Sequence, residues 1–149
     1  MEFERAQASL QAAELCLAHG LVDSAVNRAY FALFQAAICA LERRGMRRRE
    51  WTHKGVHSDF VQLFVRRRKL VPASFAGALP SVMHLRHIAD YQQPGVSQAQ
   101  AERAVRRARE FVILLQREVF DGPQTDHSEP AATLRACLKS LRGLCRMEI

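Results

Sequence analysis

Apolar residues recur at three- and four-residue steps through most of the chain, the period of a helix buried along one face. Phe3, Ala6, Leu10, Ala13 and Leu17 predict a first helix over roughly 2–18, with Gly20 placed to stop it. A second helix is predicted over 24–44, with Asp23 as its N-cap and Gly45 just past its end. Val26, Ala29, Tyr30, Leu33, Phe34, Ala37, Ile38 and Leu41 cover much of its circumference, so it should be the central helix of a bundle. Thr52 can cap a third helix over 53–67, whose stripe is Val56, Phe60, Leu63 and Phe64. After a turn at 69–72, a fourth helix is predicted over 73–92, with a kink or restart at Pro80. Pro94-Gly95 breaks the chain, and Ser97 with Gln100 forms a capping box for a fifth helix over 98–120. Ala101, Ala104, Val105, Ala108, Phe111, Val112 and Leu115 are its inward positions. No hairpin signal separates alternating runs, so the fold class is all-α.

The pattern changes after residue 120. Positions 121–130 are polar, with two prolines and a glycine, and read as a linker. Leu134, Leu138, Leu141 and Cys145 share a stripe that predicts one more short helix, within 131–149. The organisation expected is a bundle over 1–120, a linker over 121–130 and a short C-terminal helical extension over 131–149.

The 149 residues fit one domain, and 48% hydrophobic with 25% charged residues excludes a disordered or collagen-like chain. No apolar run approaches the roughly 18 residues that cross a bilayer. The longest, over 29–41, is interrupted by Gln35. The opening Met1-Glu2-Phe3-Glu4-Arg5 lacks a signal-peptide layout, so a cytoplasmic protein with no membrane partner is expected. None of Cys16, Cys39, Cys137 and Cys145 forms a Cys-x-x-Cys pair, which leaves zinc-ribbon and thioredoxin-type chemistry unsupported.

Charge adds a candidate partner. The formal net charge is +7, and 19 of the 22 basic residues are arginine. Guanidinium grips phosphate bidentately, so the bias points toward phosphate-bearing partners. The basic residues fall in three clusters: Arg43, Arg44, Arg47, Arg48 and Arg49; Arg66, Arg67, Arg68 and Lys69; Arg103, Arg106, Arg107 and Arg109. The first two also suit solvated helix C-termini, where cations complement the dipole.

Four further features carry candidate chemistry. His53 and His57 stand four apart, and His84 and His87 three apart, so each pair shares a helical face. No carboxylate or cysteine completes a ligand set beside either, and neither a metal nor a cofactor is expected. Arg86, His87, Asp90 and Tyr91 cluster near the end of the fourth helix, where Arg86 and Asp90 can form an i,i+4 salt bridge. Asn27 and Arg28 interrupt the most apolar helix. An arginine buried there needs a carboxylate or a ligand phosphate, with Asp90 as candidate partner; alternatively Arg28 and Arg86 frame an anion site.

Three segments carry a family resemblance. Ser24-Ala25-Val26-Asn27-Arg28-Ala29-Tyr30-Phe31-Ala32-Leu33-Phe34 resembles the second helix of the HEPN superfamily, in its small toxin-like branch. Thr52-His53-Lys54-Gly55-Val56 resembles that branch's Thr-His-x-Gly motif, and Leu85-Arg86-His87-Ile88-Ala89-Asp90-Tyr91 its Arg-x-x-Ala-Asp-Tyr motif. The resemblance spans about residues 5–120. It implies an antiparallel bundle of four to five helices, commonly a homodimer. It also implies a metal-independent ribonuclease or RNA binder of a toxin–antitoxin or defence module, often paired with a minimal nucleotidyltransferase antitoxin. The nuclease motif has a histidine where this chain has Tyr91, and an unperturbed tyrosine is a poor base at pH 7. The roles implied are phosphate binding by Arg86, proton transfer by His53 or His87, a hydrogen bond from Tyr91 and orientation by Asp90. The phosphate- or nucleic-acid-binding set would be Asn27, Arg28, Lys54, Arg47, Arg48, Arg49, Arg66, Arg67 and Arg68, with Arg28 beside Arg86 at the phosphate and the three arginine clusters holding the RNA backbone. The rival expectation is a non-catalytic HEPN module that binds a nucleotide or a partner nucleotidyltransferase. A plain dimerising helical adaptor is a third.

Overall fold

A computed structural model describes residues 1–122, and the expected extension over 131–149 lies outside the described residues, as does nearly all of the linker. The described residues contain five α-helices and no strand: α1 (Phe3–Ala18), α2 (Val22–Arg43), α3 (His53–Phe60), α4 (Ala78–Tyr91) and α5 (Gln98–Leu115). Two of them run on as wider π-helical turns, α3 through Val61–Arg67 and α5 through Gln116–Phe120.

Side-chain contacts fix the helix directions. Ser9 bonds Gln35 while the Met1 amino group pairs with Glu42, so α1 and α2 run antiparallel. Glu14 pairs with Arg109 and Gln7 with Gln116, which sets α1 antiparallel to α5. Asn27 meets Asp90 and Tyr30 meets Arg86, which sets α2 antiparallel to α4.

Helix α2 is central, as its apolar circumference requires. Twelve of its residues are buried, six of them alanines: Ala25, Ala29, Ala32, Ala36, Ala37 and Ala40. Small side chains there let neighbouring helices approach closely, and α1 and α5 answer with buried Ala6, Ala13, Ala101, Ala104 and Ala108. By length and composition α2 reaches what a membrane span needs, which the interrupted run over 29–41 had not suggested. Two thirds of that apolar stretch is buried inside the bundle, as in a core helix of a globular domain.

The helix ends show where local signals hold. Gly20 and Gly45 adopt left-handed backbone (φ 72° and 85°) past α1 and α2, which residues with a Cβ resist. The Ser97–Gln100 capping box forms, and the Thr52 hydroxyl accepts from the Gly55 N–H. Asp23, expected as the N-cap of α2, lies inside its first turn. Its carboxylate instead accepts from the Val96 N–H at 3.0 Å and ties the α4–α5 loop to α2. A Cβ on Gly95 would collide with that carboxylate. The fourth helix starts later than expected: residues Ala73–Phe75 form a 3-10 turn, and α4 begins at Ala78. Pro80 therefore falls in the first turn, where its missing N–H costs nothing.

Candidate functional site

Helices α2, α3 and α4 bring the site together. On α2, Asn27, Tyr30 and Phe31 lie one turn apart along the edge that meets α4. On α4, Arg86 and Asp90 answer them at i and i+4. The Thr52 cap starts α3 so that His53 stands in its first turn, beside both helices.

Arg86 is the centre of this arrangement. Its guanidinium carbon lies 4.9 Å from the Phe31 ring centroid and 5.3 Å from that of Tyr30. Aromatic faces attract a cation, by about 1–2 kcal/mol when it is partly desolvated. Its Nε is buried and stands 3.3 Å from Asp90 Oδ2, close enough for an ion pair but not aligned as a hydrogen bond. Asp90 is held in turn by Asn27, whose Nδ2 reaches both carboxylate oxygens at 3.4 and 3.3 Å. Asn27 Oδ1 then accepts from Arg28 Nη2 at 2.8 Å and from Nε at 3.3 Å. Only this orientation of the amide serves a carboxylate on one side and a guanidinium on the other. Arg28 also lies over Phe31, at 4.8 Å. Arg28 thus takes the Asn27 carbonyl and an aromatic face, while Asp90 goes to Arg86 and Asn27. Two guanidiniums against one carboxylate leave the cluster positive.

The histidines meet a buried hydroxyl. Tyr30 is fully buried, and its Oη lies 2.7 Å from His53 Nδ1 and 3.1 Å from His57 Nε2. The His53 ring packs on Phe34 at 4.7 Å. Burial and then the Arg86 charge lower the His53 pKa from its usual 6.5. Burial and then His53 do the same for His57. Both rings are therefore neutral at pH 7, and burial pushes the Tyr30 hydroxyl up to about 12 despite Arg86.

Two hollows open on these rings. One, of about 270 Å³, is lined by His53, Met83, Arg86, His87, Asp90 and Tyr91. His87 and Tyr91 face each other at its rim with rings 4.9 Å apart, and Tyr91 is 75% exposed. The other, of about 470 Å³, includes Lys54, His57 and Arg66.

The basic clusters are placed apart from the Arg86 hollow. Arg48 pairs with Asp59 at 2.6 Å and lies over Trp51. Arg47, Arg49, Arg67 and Arg68 are exposed, and Arg66 bonds Gln62. On α5, Arg109 pairs with Glu14, while Arg107 covers Phe75 and donates to the Ser74 carbonyl. Arg103, Arg106 and Arg107 line a separate groove of about 640 Å³ between α4 and α5.

The family comparison decides the fold's identity: the HEPN domain matches residues 2–118. The chain belongs to the HEPN family. A search of curated proteins returns no match. In this HEPN bundle, the site also draws on three residues, Tyr30, Phe31 and His57, that the sequence pattern does not place in it. By pattern Tyr30 is a core position, Phe31 has no assigned role, and His57 is half of a spaced pair. A tyrosine beside Asn27-Arg28 on an apolar helix was the available signal, since a buried hydroxyl must find a partner.

The two lowered histidines set a pH response of stability. Below about pH 6.5 the unfolded chain takes up protons that the folded pair resists, so stability falls as pH falls through that value. Urea unfolding near pH 7 and about pH 5.5 should show this loss, and His53→Gln/His57→Gln should show less of it. An equal pH response in that variant would contradict the assignment.

Proposed function

We propose that this HEPN protein binds RNA at the Arg86 hollow and cleaves it there without a metal ion. The observation that supports the reading most is the pairing of a restrained guanidinium with a neutral imidazole in one hollow. Arg86 is held from the side by Asp90 and from its face by Tyr30 and Phe31, and lines the hollow with His53. A phosphodiester there has a cation for its developing charge and a base within the same wall.

The step needs only these side chains. The ribose 2′-oxygen attacks the adjacent phosphorus as its proton passes to His53 Nε2. The bond from phosphorus to the 5′-oxygen breaks, leaving a 2′,3′-cyclic phosphate. The 5′-oxygen takes a proton from an acid at the rim, a role assigned to His87. Tyr91 supplies a hydrogen bond, Asp90 orients Arg86, and Lys54 with Arg66 holds a neighbouring backbone phosphate. A homodimer, a cytoplasmic location and a toxin–antitoxin or defence setting with a nucleotidyltransferase partner belong to the same proposal. One observation favours a second reading, a nucleotide-binding module without cleavage. Tyr91 stands exposed at the rim, where the resembling nucleases place a histidine.

Binding of a labelled single-stranded RNA tests the shared part. Affinity should fall steeply between low and physiological salt, because each neutralised phosphate releases counterions. Arg86→Ala should weaken binding at every salt concentration. Salt-insensitive binding, or none at low salt, contradicts an RNA site.

A further inference from the structure

We propose that Tyr30 is a proton bridge between His53 and His57, so that a proton taken up at the Arg86 hollow is passed to the neighbouring one. The inference deepens the proposed function and rests on His53 being the base there.

The geometry carries it. A hydroxyl has one hydrogen, and the Tyr30 oxygen stands between two ring nitrogens at 2.7 and 3.1 Å. It therefore donates to one ring and accepts from the other. In the first arrangement His53 Nδ1–H donates to the Tyr30 oxygen, and Tyr30 donates to His57 Nε2. His53 Nε2 then carries a lone pair. In the second, His57 Nε2–H donates to the Tyr30 oxygen, and Tyr30 donates to His53 Nδ1. His53 Nε2 then carries the proton.

Uptake of one proton converts the first arrangement into the second. His53 Nε2 accepts a proton from the cleft. His53 Nδ1 gives its proton to the Tyr30 oxygen as the original Tyr30 proton passes to His57 Nε2. His53 ends neutral, Tyr30 is again a hydroxyl, and His57 is an imidazolium. The positive charge has moved away from Arg86 into the hollow that His57 shares with Lys54 and Arg66.

The surroundings favour one proton for the pair rather than two. Arg86 faces His53 from α4, and His87, Asp90 and Tyr91 share its hollow. Lys54 and Arg66 share that of His57. Among the described residues no carboxylate bonds either ring: Asp90 is taken by Arg86 and Asn27, and Asp59 by Arg48. Burial keeps Tyr30 protonated, as a bridge requires. All three groups sit on helices, with α2 at the centre of the core and α3 fixed by the Thr52 cap.

The test is a pH titration of ¹⁵N-histidine-labelled full-length protein by NMR, with RNA cleavage measured beside it. The wild type should show two steps separated by more than about one pH unit, with the His53 and His57 rings both shifting in each. In Tyr30→Phe, which keeps the ring under Arg86, each imidazole should follow a single step of its own. Should Tyr30→Phe not fold, the wild-type ring ¹⁵N shifts decide: after the first step His53 should be the neutral Nε2–H tautomer and His57 the imidazolium, and a His53 imidazolium beside a neutral His57 overturns the bridge. Independent titration in the wild type, or the same coupled curves in Tyr30→Phe, overturns the bridge even if RNA is cut. Coupled titration without RNA cleavage supports the bridge and removes the reading on which its use depends.

Discussion

Arg86→Ala is expected to lower RNA cleavage by a factor on the order of 100 to 1,000, the usual cost of removing one preorganised charge donor from a transition state. The cause is specific to this site. Arg86 is the guanidinium held on two aromatic rings and one carboxylate, and it shares the hollow with His53. Arg86→Lys keeps a charge but loses the planar face that stacks on Tyr30 and Phe31, so it should recover only a small part of the activity. Both variants should keep the helical circular dichroism of the wild type, since Arg86 contributes no apolar core. Single-turnover cleavage of a defined RNA measures the effect. Activity within about threefold of the wild type in Arg86→Ala would remove the guanidinium from the mechanism.

Phe111→Ala is expected to be the most damaging core change, at about 3–5 kcal/mol. Phe111 is fully buried on α5, with its ring 5.0 Å from Phe60 of α3 and 6.2 Å from Phe75 of the following turn. Phe60 in turn packs on Phe64 at 5.1 Å. The α3 segment thus meets α5 through this aromatic group, and removing the ring leaves a void between them. Against a total stability of about 5–15 kcal/mol, such a loss approaches global unfolding. Thermal unfolding should shift down by roughly 10–20 °C. A change below about 1 kcal/mol in urea would show that α3 is held by other contacts. The variant should also weaken the site, because α3 carries His53.

The sequence carried the bundle where local chemistry decides it. The α5 start followed from Ser97 and Gln100, and the ends of α1 and α2 from glycines that take left-handed backbone. It misled where a tertiary contact claims a capping residue. Asp23 has the side chain of an N-cap, yet the distant Val96 N–H takes it. The π-helical turns after α3 and α5 were invisible, because Phe60, Leu63 and Phe64 fit one apolar stripe with either hydrogen-bond spacing.

The site was legible in its ions and opaque in its bridge. Arg86, Asp90 and His53 stood out as polar groups on helical patterns, and the structure places them together. Arg28 was expected to need a carboxylate or a phosphate, but Asn27 beside it and Phe31 one turn on satisfy it locally. Tyr30 read as core because its ring is core. Only its hydroxyl, aimed between two histidines of another helix, gives it a second role, and that depends on how α3 docks on α2. The loop arginines at 47–49 and those at 66–68 had equal weight in the sequence. The structure separates them, since Arg48 is paired with Asp59 while Arg66 shares a hollow with Lys54 and His57.

The Arg86 hollow is proposed to act on RNA with side chains alone. Its most direct test is incubation of the purified protein with total tRNA and mRNA in EDTA, with Arg86→Ala alongside. Discrete cuts by the wild type and none by the variant are expected. No cuts from a folded wild type, or equal cuts from both proteins, would contradict it.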